Sequence, residues 1–344
     1  MSTFAVLTGG GDCPGLNAAI RAVTRGLLQD GNDVVGIRDG WRGLADGELL
    51  PLTRRAVSGI LPRGGTILGT SGYDPFREET VDELLARTRS LGLAGVIAIG
   101  GEGTLGIAHR LATEHAYPVV GAPKTIDNDL AGTDVTIGFD TAVHVCSEAI
   151  DRLHSTAESH NRVMVVEVMG RATGWIAAAS GVAGGADVIL LPESPTPIED
   201  AADHIRERHR SGRDFSIVVV AEGYRLTRRT GEQDDPVVQE LDRYGYARLG
   251  GVGRVVAEEI SRLTGFESRV TVLGHVQRGG TPTARDRLLA TRLGLKAAEL
   301  ATGGAWDRMA AVRGDDVVDV PLEEAVGTRK TVPLEWIEAG RTVA

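Results

Sequence analysis

Short β-branched apolar runs alternate along this chain with stretches of helical periodicity, and that alternation constrains the fold more than any other feature. An apolar run at 4–7 is followed by a turn and a helical stretch over about 16–28. Runs at 34–37, 94–99 and 119–121 continue the series, with a helix after the second reaching His109. A long helical stretch covers about 141–157. Apolar runs at 163–168, 188–191, 217–221 and 270–273 follow, with helical periodicity near 202–209, 252–263 and 285–300. Strands this apolar are buried on both faces, which is the pattern of parallel sheets covered by helices. Right-handed crossovers then bring the C-terminal end of every strand to one rim of its sheet. The fold class expected is α/β.

At 344 residues the chain is long enough for two lobes of ordinary domain size. A net charge of −10 argues against a nucleic-acid partner. The basic residues instead cluster beside Gly-rich turns, which suits a phosphorylated small molecule. Cys13 and Cys146 read as reduced thiols, with a disulfide as the alternative. The first eight residues run into a strand without a basic leader or cleavage pattern, and no apolar run is long enough for a bilayer. A cytoplasmic protein with no membrane partner is expected.

The strand rims collect the unusual residues: Gly9–Asp12, Gly100–Thr104, Thr125–Asp129, Met169–Arg171, Glu222 and His275–Arg278. In Pro123-Lys124-Thr125-Ile126-Asp127-Asn128-Asp129-Leu130 two carboxylates stand two residues apart, behind a Thr and a Lys. One could take a proton from a hydroxyl while the other holds a metal or orients the first. The turn Gly9-Gly10-Gly11-Asp12-Cys13-Pro14-Gly15-Leu16-Asn17 can bring backbone amides and a helix N-terminus to an anion, or it is a tight strand–helix turn capped by Asp12 or Asn17. Gly100-Gly101-Glu102-Gly103-Thr104 repeats the arrangement with an acid that could reach Mg²⁺ on phosphates, or simply favour the first helical turn. Met169-Gly170-Arg171 and Gly274-His275-Val276-Gln277-Arg278-Gly279-Gly280 each place Arg, the residue suited to bidentate phosphate capture, among glycines. The two Gly-rich turns at 9–17 and 100–104, together with the Thr125–Asp129 cluster on one rim, point to phosphoryl transfer. Neither the dinucleotide nor the Walker fingerprint is present. The polar stretch 224–250, interrupted by Pro236, reads as a surface insertion.

Taken in order, GGDCPGLNA, GGEGT, PKTIDNDL, MGR, PE, AEG and GHVQRGGTP span nearly the whole chain, and this set resembles the bacterial 6-phosphofructokinase family. The resemblance implies two Rossmann-like three-layer lobes with mostly parallel sheets and an active site at the strand C-termini between them. It implies a donor-binding lobe of 1–138 with 252–304 and a sugar-binding lobe of 139–251 with 305–344. The implied reaction moves a phosphoryl group to the 1-hydroxyl of fructose 6-phosphate. By position, Asp127 matches the base, Asp129 and Glu102 the surroundings of Mg²⁺, and Thr125 and Arg171 the groups on the transferred phosphoryl. Gly11, Gly101, Gly103 and Thr104 match the donor cradle, with Tyr73 beside it. Arg162, Arg269, His275 and Arg278 match the clamp on the sugar phosphate, with Met169, Gly170 and Glu222 at the sugar. In the family the counterparts of Arg162 and Arg269 act across subunits, so a homo-oligomer, a tetramer by resemblance, is implied.

Two residues bear on the donor. Gly at the place of Gly103 accompanies ATP, because a carboxylate there would meet the α-phosphate; Lys at the place of Lys124 accompanies pyrophosphate. Steric exclusion is the stronger discriminator, so the resemblance implies ATP, with pyrophosphate as the alternative. A non-catalytic sugar-phosphate sensor is a more remote one. Gly72 stands where many ATP enzymes carry Arg, with Arg77 nearby. Arg21, Arg25, Arg54 and Asp187 match the bacterial effector cleft, while His154 replaces its usual Arg, so altered effector control is expected.

Overall fold

A computed structural model describes residues 1–241 and 247–343, with side chains outside 239–248 and 339–343. The chain begins with β1 (Thr3–Thr8), α1 (Leu16–Gln29), β2 (Asp33–Ile37), α2 (Trp41–Asp46), β3 (Leu49–Pro51) and α3 (Val81–Ser90). It continues through β4 (Leu93–Gly100), α4 (Glu102–His115), β5 (Val119–Pro123), α5 (Phe139–His160), β6 (Val163–Val168), α6 (Trp175–Ala183) and β7 (Val188–Leu190). Next come α7 (Ile198–Arg210), β8 (Ser216–Ala221), β9 (Val238–Leu241), β10 (Ala247–Leu249), α8 (Val252–Thr264) and β11 (Ser268–Val272). It ends with α9 (Ala284–Thr302), β12 (Arg308–Arg313), β13 (Asp316–Pro321), α10 (Leu322–Val326) and α11 (Leu334–Val343).

Two compact units result. The first comprises Met1–Ile126, Leu130–Thr141 and Arg278–Lys330; the second comprises Asp127–Asp129, Ala142–Gln277 and Thr331–Ala344. The first unit holds a sheet in the order β13-β12-β5-β4-β1-β2-β3, parallel from β12 to β2 and antiparallel at the two edges. The second holds the parallel sheet β11-β6-β8-β7. The α/β class and the mostly parallel sheets therefore follow the periodicity.

The division differs from the expected 1–138 with 252–304 and 139–251 with 305–344, and strand pairing gives the reason. β11 pairs with β6 and draws α8 into the second unit, while β12 and β13 extend the first sheet beyond β5. Of the stretch 224–250, residues 242–246 lie outside the described residues; β9 and β10 pair antiparallel within it.

In the first core, Leu7, Val96, Ala98, Leu105 and Leu111 are fully buried, and Trp41 nearly so. Helices α1 and α9 pack closely because both use small residues at the crossing. A Cβ on Gly294 would stand 2.8 Å from Ala22 Cβ, and one on Gly26 would stand 3.1 Å from Ala298 Cβ. The second core gathers Val165, Val218, Val220, Ile205 and Ile260, all fully buried. Buried polar groups hold the loops. Asn17 is not the cap of α1: its Nδ2 donates to the carbonyls of Arg63 and Gly64 at 3.1 Å each, and its Oδ1 accepts Ile67 N at 2.8 Å. Asp286 accepts Gly138 N at 3.0 Å and Thr141 N at 2.8 Å, which ties α9 to the start of α5. Stranding one such donor costs about 1–3 kcal/mol. Among the described residues no helix is long and apolar enough to cross a membrane.

Candidate active site

Sheet order explains why the unusual residues collect. In the first unit β1, β4 and β5 are adjacent and parallel, so the turns that follow them share one rim. Those turns carry Gly9–Asp12, Gly101–Thr104 and Lys124-Thr125. In the second unit β6, β8 and β11 are likewise adjacent and parallel. Their C-terminal ends lead into Met169-Gly170-Arg171, Glu222 and the 3₁₀ turn Gly274–Arg278.

On the first rim some of the glycines stand too close to a neighbouring side chain to carry one of their own. A Cβ on Gly9 or Gly100 would collide with the buried side chain of Thr104, and one on Gly11 would collide with the guanidinium of Arg278. Arg278 thus lies against the first Gly-rich turn, within the first unit. Gly10 and Gly15 adopt φ of 75° and 107°, which glycine reaches at no steric cost. Helices α1 and α4 start at Gly15 and Gly101 with no side-chain cap, so the amides of their first turns are left to backbone, solvent or ligand.

Lys124 is 2% exposed, and its Nζ donates to Gly11 O at 2.6 Å. It therefore braces the two turns against one another, since its own N–H also donates to Gly100 O at 3.0 Å. Thr125 accepts Thr136 Oγ1 through its carbonyl at 2.6 Å, which fixes its backbone just beyond β5. Gly103 is the opposite of Gly9: a Cβ there would meet nothing within 4 Å. Glu102 is exposed and stands 3.8 Å from Arg329. The Tyr73 ring packs against the first core and its hydroxyl pairs with Thr80. Arg77 is paired with Asp74 at 3.6 Å.

The second rim holds a buried acid beside a strained arginine. Asp127 is 6% exposed, and its carbonyl accepts Thr173 Oγ1 at 3.4 Å. Gly170 and Arg171 adopt φ of 147° and 51°, and the first is open only to glycine because a Cβ would strike the Thr173 carbonyl. Glu222 Oε1 accepts Arg171 N at 2.9 Å and so pins this turn. Burial pushes the Glu222 carboxyl up from 4.5 to about 7; the Arg171 amide opposes the rise and the nearby Asp127 carboxylate adds to it. Away from that rim, at the N-terminal ends of the parallel strands β6 and β11, Arg162 Nε reaches Glu267 Oε2 at 2.7 Å and Arg269 pairs with the other oxygen, so one carboxylate gathers two guanidiniums. His275 is exposed on the 3₁₀ turn. Asp129 and Met169 complete the set, the first half-buried and the second buried.

Glu193 is a structural contributor whose role the sequence leaves hidden. It accepts Gly174 N at 2.9 and 3.0 Å through its two oxygens and Val332 N at 3.2 Å, which holds the start of α6 behind Arg171. Its only signal was the Pro192-Glu193 pair after β7. In the expected effector cleft, Asp187 is engaged by Arg208 at 2.7 Å and by Ile217 N at 2.8 Å, and His154 Nε2 meets Gly184 O at 2.8 Å. Cys13 and Cys146 are free and buried. Among the described residues no group of three or more His, Cys, Asp or Glu side chains could hold a metal. A lone exposed carboxylate such as Glu102 does fit a Mg²⁺ that arrives bound to phosphates, because that ion keeps most of its ligands from phosphate and water.

The first unit presents Gly-rich turns before uncapped helices, an arrangement able to bind phosphates, and the second presents the buried Asp127, which can accept a proton, and Arg171 beside a glycine. The family model described as phosphofructokinase matches residues 3–301. A pyrophosphate–fructose 6-phosphate 1-phosphotransferase of Streptomyces coelicolor is 54% identical over 340 residues, covering 97% of this chain and 98% of that protein. The ATP-dependent 6-phosphofructokinase 3 of the same organism is 51% identical over 330 residues, covering 95% and 96%. The solved phosphofructokinase of Saccharomyces cerevisiae superposes with a TM-score of 0.80 at 34% identity over 95% of this chain, which spans 45% of that longer chain. The chain belongs to the phosphofructokinase family.

Proposed function

We propose that this protein transfers a phosphoryl group from ATP to the 1-hydroxyl of fructose 6-phosphate, releasing fructose 1,6-bisphosphate and ADP. Gly103 carries the choice of donor. The space over its Cα is open, so nothing at that position excludes the α-phosphate and nucleoside of ATP. Lys124, the residue that accompanies pyrophosphate, spends a bond on Gly11 O at 2.6 Å, a bracing role compatible with either donor. Relatives named for each donor stand at similar identity, and the open space at residue 103 is the observation that supports the ATP reading.

The amides before α1 and α4, with Gly11, Gly101 and Thr104, would take the donor phosphates, and Tyr73 would flank them. Glu102 and Asp129 would hold Mg²⁺ on those phosphates, where the ion offsets their charge. Asp127 accepts the proton of the attacking hydroxyl. Thr125 and Arg171 bind the oxygens of the transferred group, since phosphoryl transfer needs in-line positioning and cationic stabilisation rather than covalent help. Met169, Gly170 and Glu222 orient the sugar, and Arg162, Arg269, His275 and Arg278 bind its phosphate. Retention of a buried acid at 127 favours catalysis over a sensor, which has no use for a base.

A second copy of the chain is the partner this reading requires. β11 is an edge strand that carries the half-exposed Arg269 and ends at Val272, 54% exposed, and Val276 in the turn that follows is 60% exposed. The reading is tested by assaying fructose 1,6-bisphosphate with Mg-ATP and with Mg-pyrophosphate in parallel. Faster turnover with ATP supports it; faster turnover with pyrophosphate reverses the donor, and no product from either removes the activity.

A further inference from the structure

Gln277 is fully buried in the 3₁₀ turn Gly274–Arg278, and each polar atom of its amide is used. Nε2 donates to Gly274 O at 3.0 Å. Oε1 accepts Met169 N at 3.2 Å and the Cys146 thiol at 3.1 Å, which fills both lone pairs of that oxygen. The Met169 bond matters most for position. Pairing of β6 with β8 ends at Val168 opposite Ala221, so beyond it the Met169 amide has left the ladder. Gln277 supplies the acceptor at the point where the chain turns into the left-handed Gly170-Arg171 step. Burial pushes the Cys146 thiol far above its usual range, which keeps its proton available to Gln277.

We propose that Gln277 is a positioning residue for the sugar substrate: it locks the Met169-Gly170-Arg171 backbone to the His275 turn, so that the groups facing fructose 6-phosphate keep a fixed register. This rests on the proposed placement of that sugar at the β6 rim. Gln277 itself touches no substrate. Without Gln277 the turn would keep the Glu222 bond to the Arg171 amide and the Thr173 bonds to Gly170 O, but nothing at the Met169 amide. Loss of the Gln277 amide strands the Met169 N–H in a buried setting, and the rim relaxes to give that donor a partner.

The test uses the full chain with Gln277→Met, which keeps the volume and removes the hydrogen bonds, and Gln277→Glu, which keeps an oxygen acceptor. Gln277→Met should raise KM for fructose 6-phosphate by about fivefold or more while KM for the phosphoryl donor stays within about twofold. Hydrogen exchange at the Met169 amide should quicken by about tenfold. Gln277→Glu should recover part of both effects. An unchanged sugar KM, an equal loss for sugar and donor, or unchanged Met169 exchange would each overturn the proposal. If the wild type forms no fructose 1,6-bisphosphate, it is the activity that fails; the exchange measurement still decides whether Gln277 holds the turn.

Discussion

The Glu222 carboxylate accepts the backbone amide of Arg171 at 2.9 Å, so an acid that burial makes hard to ionise holds the one arginine whose φ, 51°, is left-handed at this rim. Its carboxyl is raised from 4.5 to about 7. Between those values the folded chain keeps a proton that the unfolded chain releases, so stability falls as pH rises through that window. The urea midpoint of the wild type should therefore drop between pH 5 and pH 7.5 more than that of Glu222→Gln, roughly a one-proton difference in slope. Parallel pH profiles for the two proteins would contradict this assignment.

Asp127 is buried on the second rim and is the proposed base. Asp127→Ser should lower kcat by about 10²–10⁴ and leave fructose 6-phosphate binding, read by calorimetry, nearly unchanged. A kcat close to wild type would remove Asp127 from the proton transfer.

Because a side chain at position 103 has open space, Gly103→Asp should fold with an unchanged melting temperature. Its carboxylate would face the donor and repel the α-phosphate, so kcat/KM for ATP should fall by about a hundredfold or more. Unaltered ATP kinetics would refute the steric and electrostatic basis of the donor choice.

Arg162 and Arg269 converge on Glu267, with Arg162 Nε 2.7 Å from its carboxylate, and Arg269 lies on the edge strand β11, which also carries the exposed Val272. Arg162→Ala should raise KM for fructose 6-phosphate by about 10–100-fold, the worth of a charge-assisted hydrogen bond. If these arginines serve a neighbouring copy, Arg162→Ala and Asp127→Ser chains, dissociated and reassembled together, should turn over low fructose 6-phosphate faster than either variant alone. Absence of recovery in a verified mixed oligomer would place Arg162 within its own subunit's site.

The central strands and long helices were legible because apolar periodicity is strongest where both faces are buried, as in β4, β6 and β8. The rim clusters were legible too, since glycines and charges at the ends of such runs have few other uses. What escaped depends on distant partners. β12 and β13 carry ordinary mixed sequences, and only the pairing of β12 with β5 and of β13 with β12 assigns them to the first sheet. The same holds for β11, whose place beside β6 moved residues 252–277 into the second unit. Gln277 and Glu193 look like other polar residues in a motif; their bonds to Met169 and Gly174 span 108 and 19 positions and leave no local periodic trace. Asn17 was open to reading as a helix cap, yet its amide anchors a loop about fifty residues away.

The most direct measurement is an internal competition: equal concentrations of Mg-ATP and Mg-pyrophosphate offered together with fructose 6-phosphate, followed by phosphorus NMR. Transfer to the 1-hydroxyl with ADP appearing faster than orthophosphate is the result expected for a chain with Gly103 open to the nucleotide. Orthophosphate appearing first, or no 1-phosphate signal at all, would contradict it.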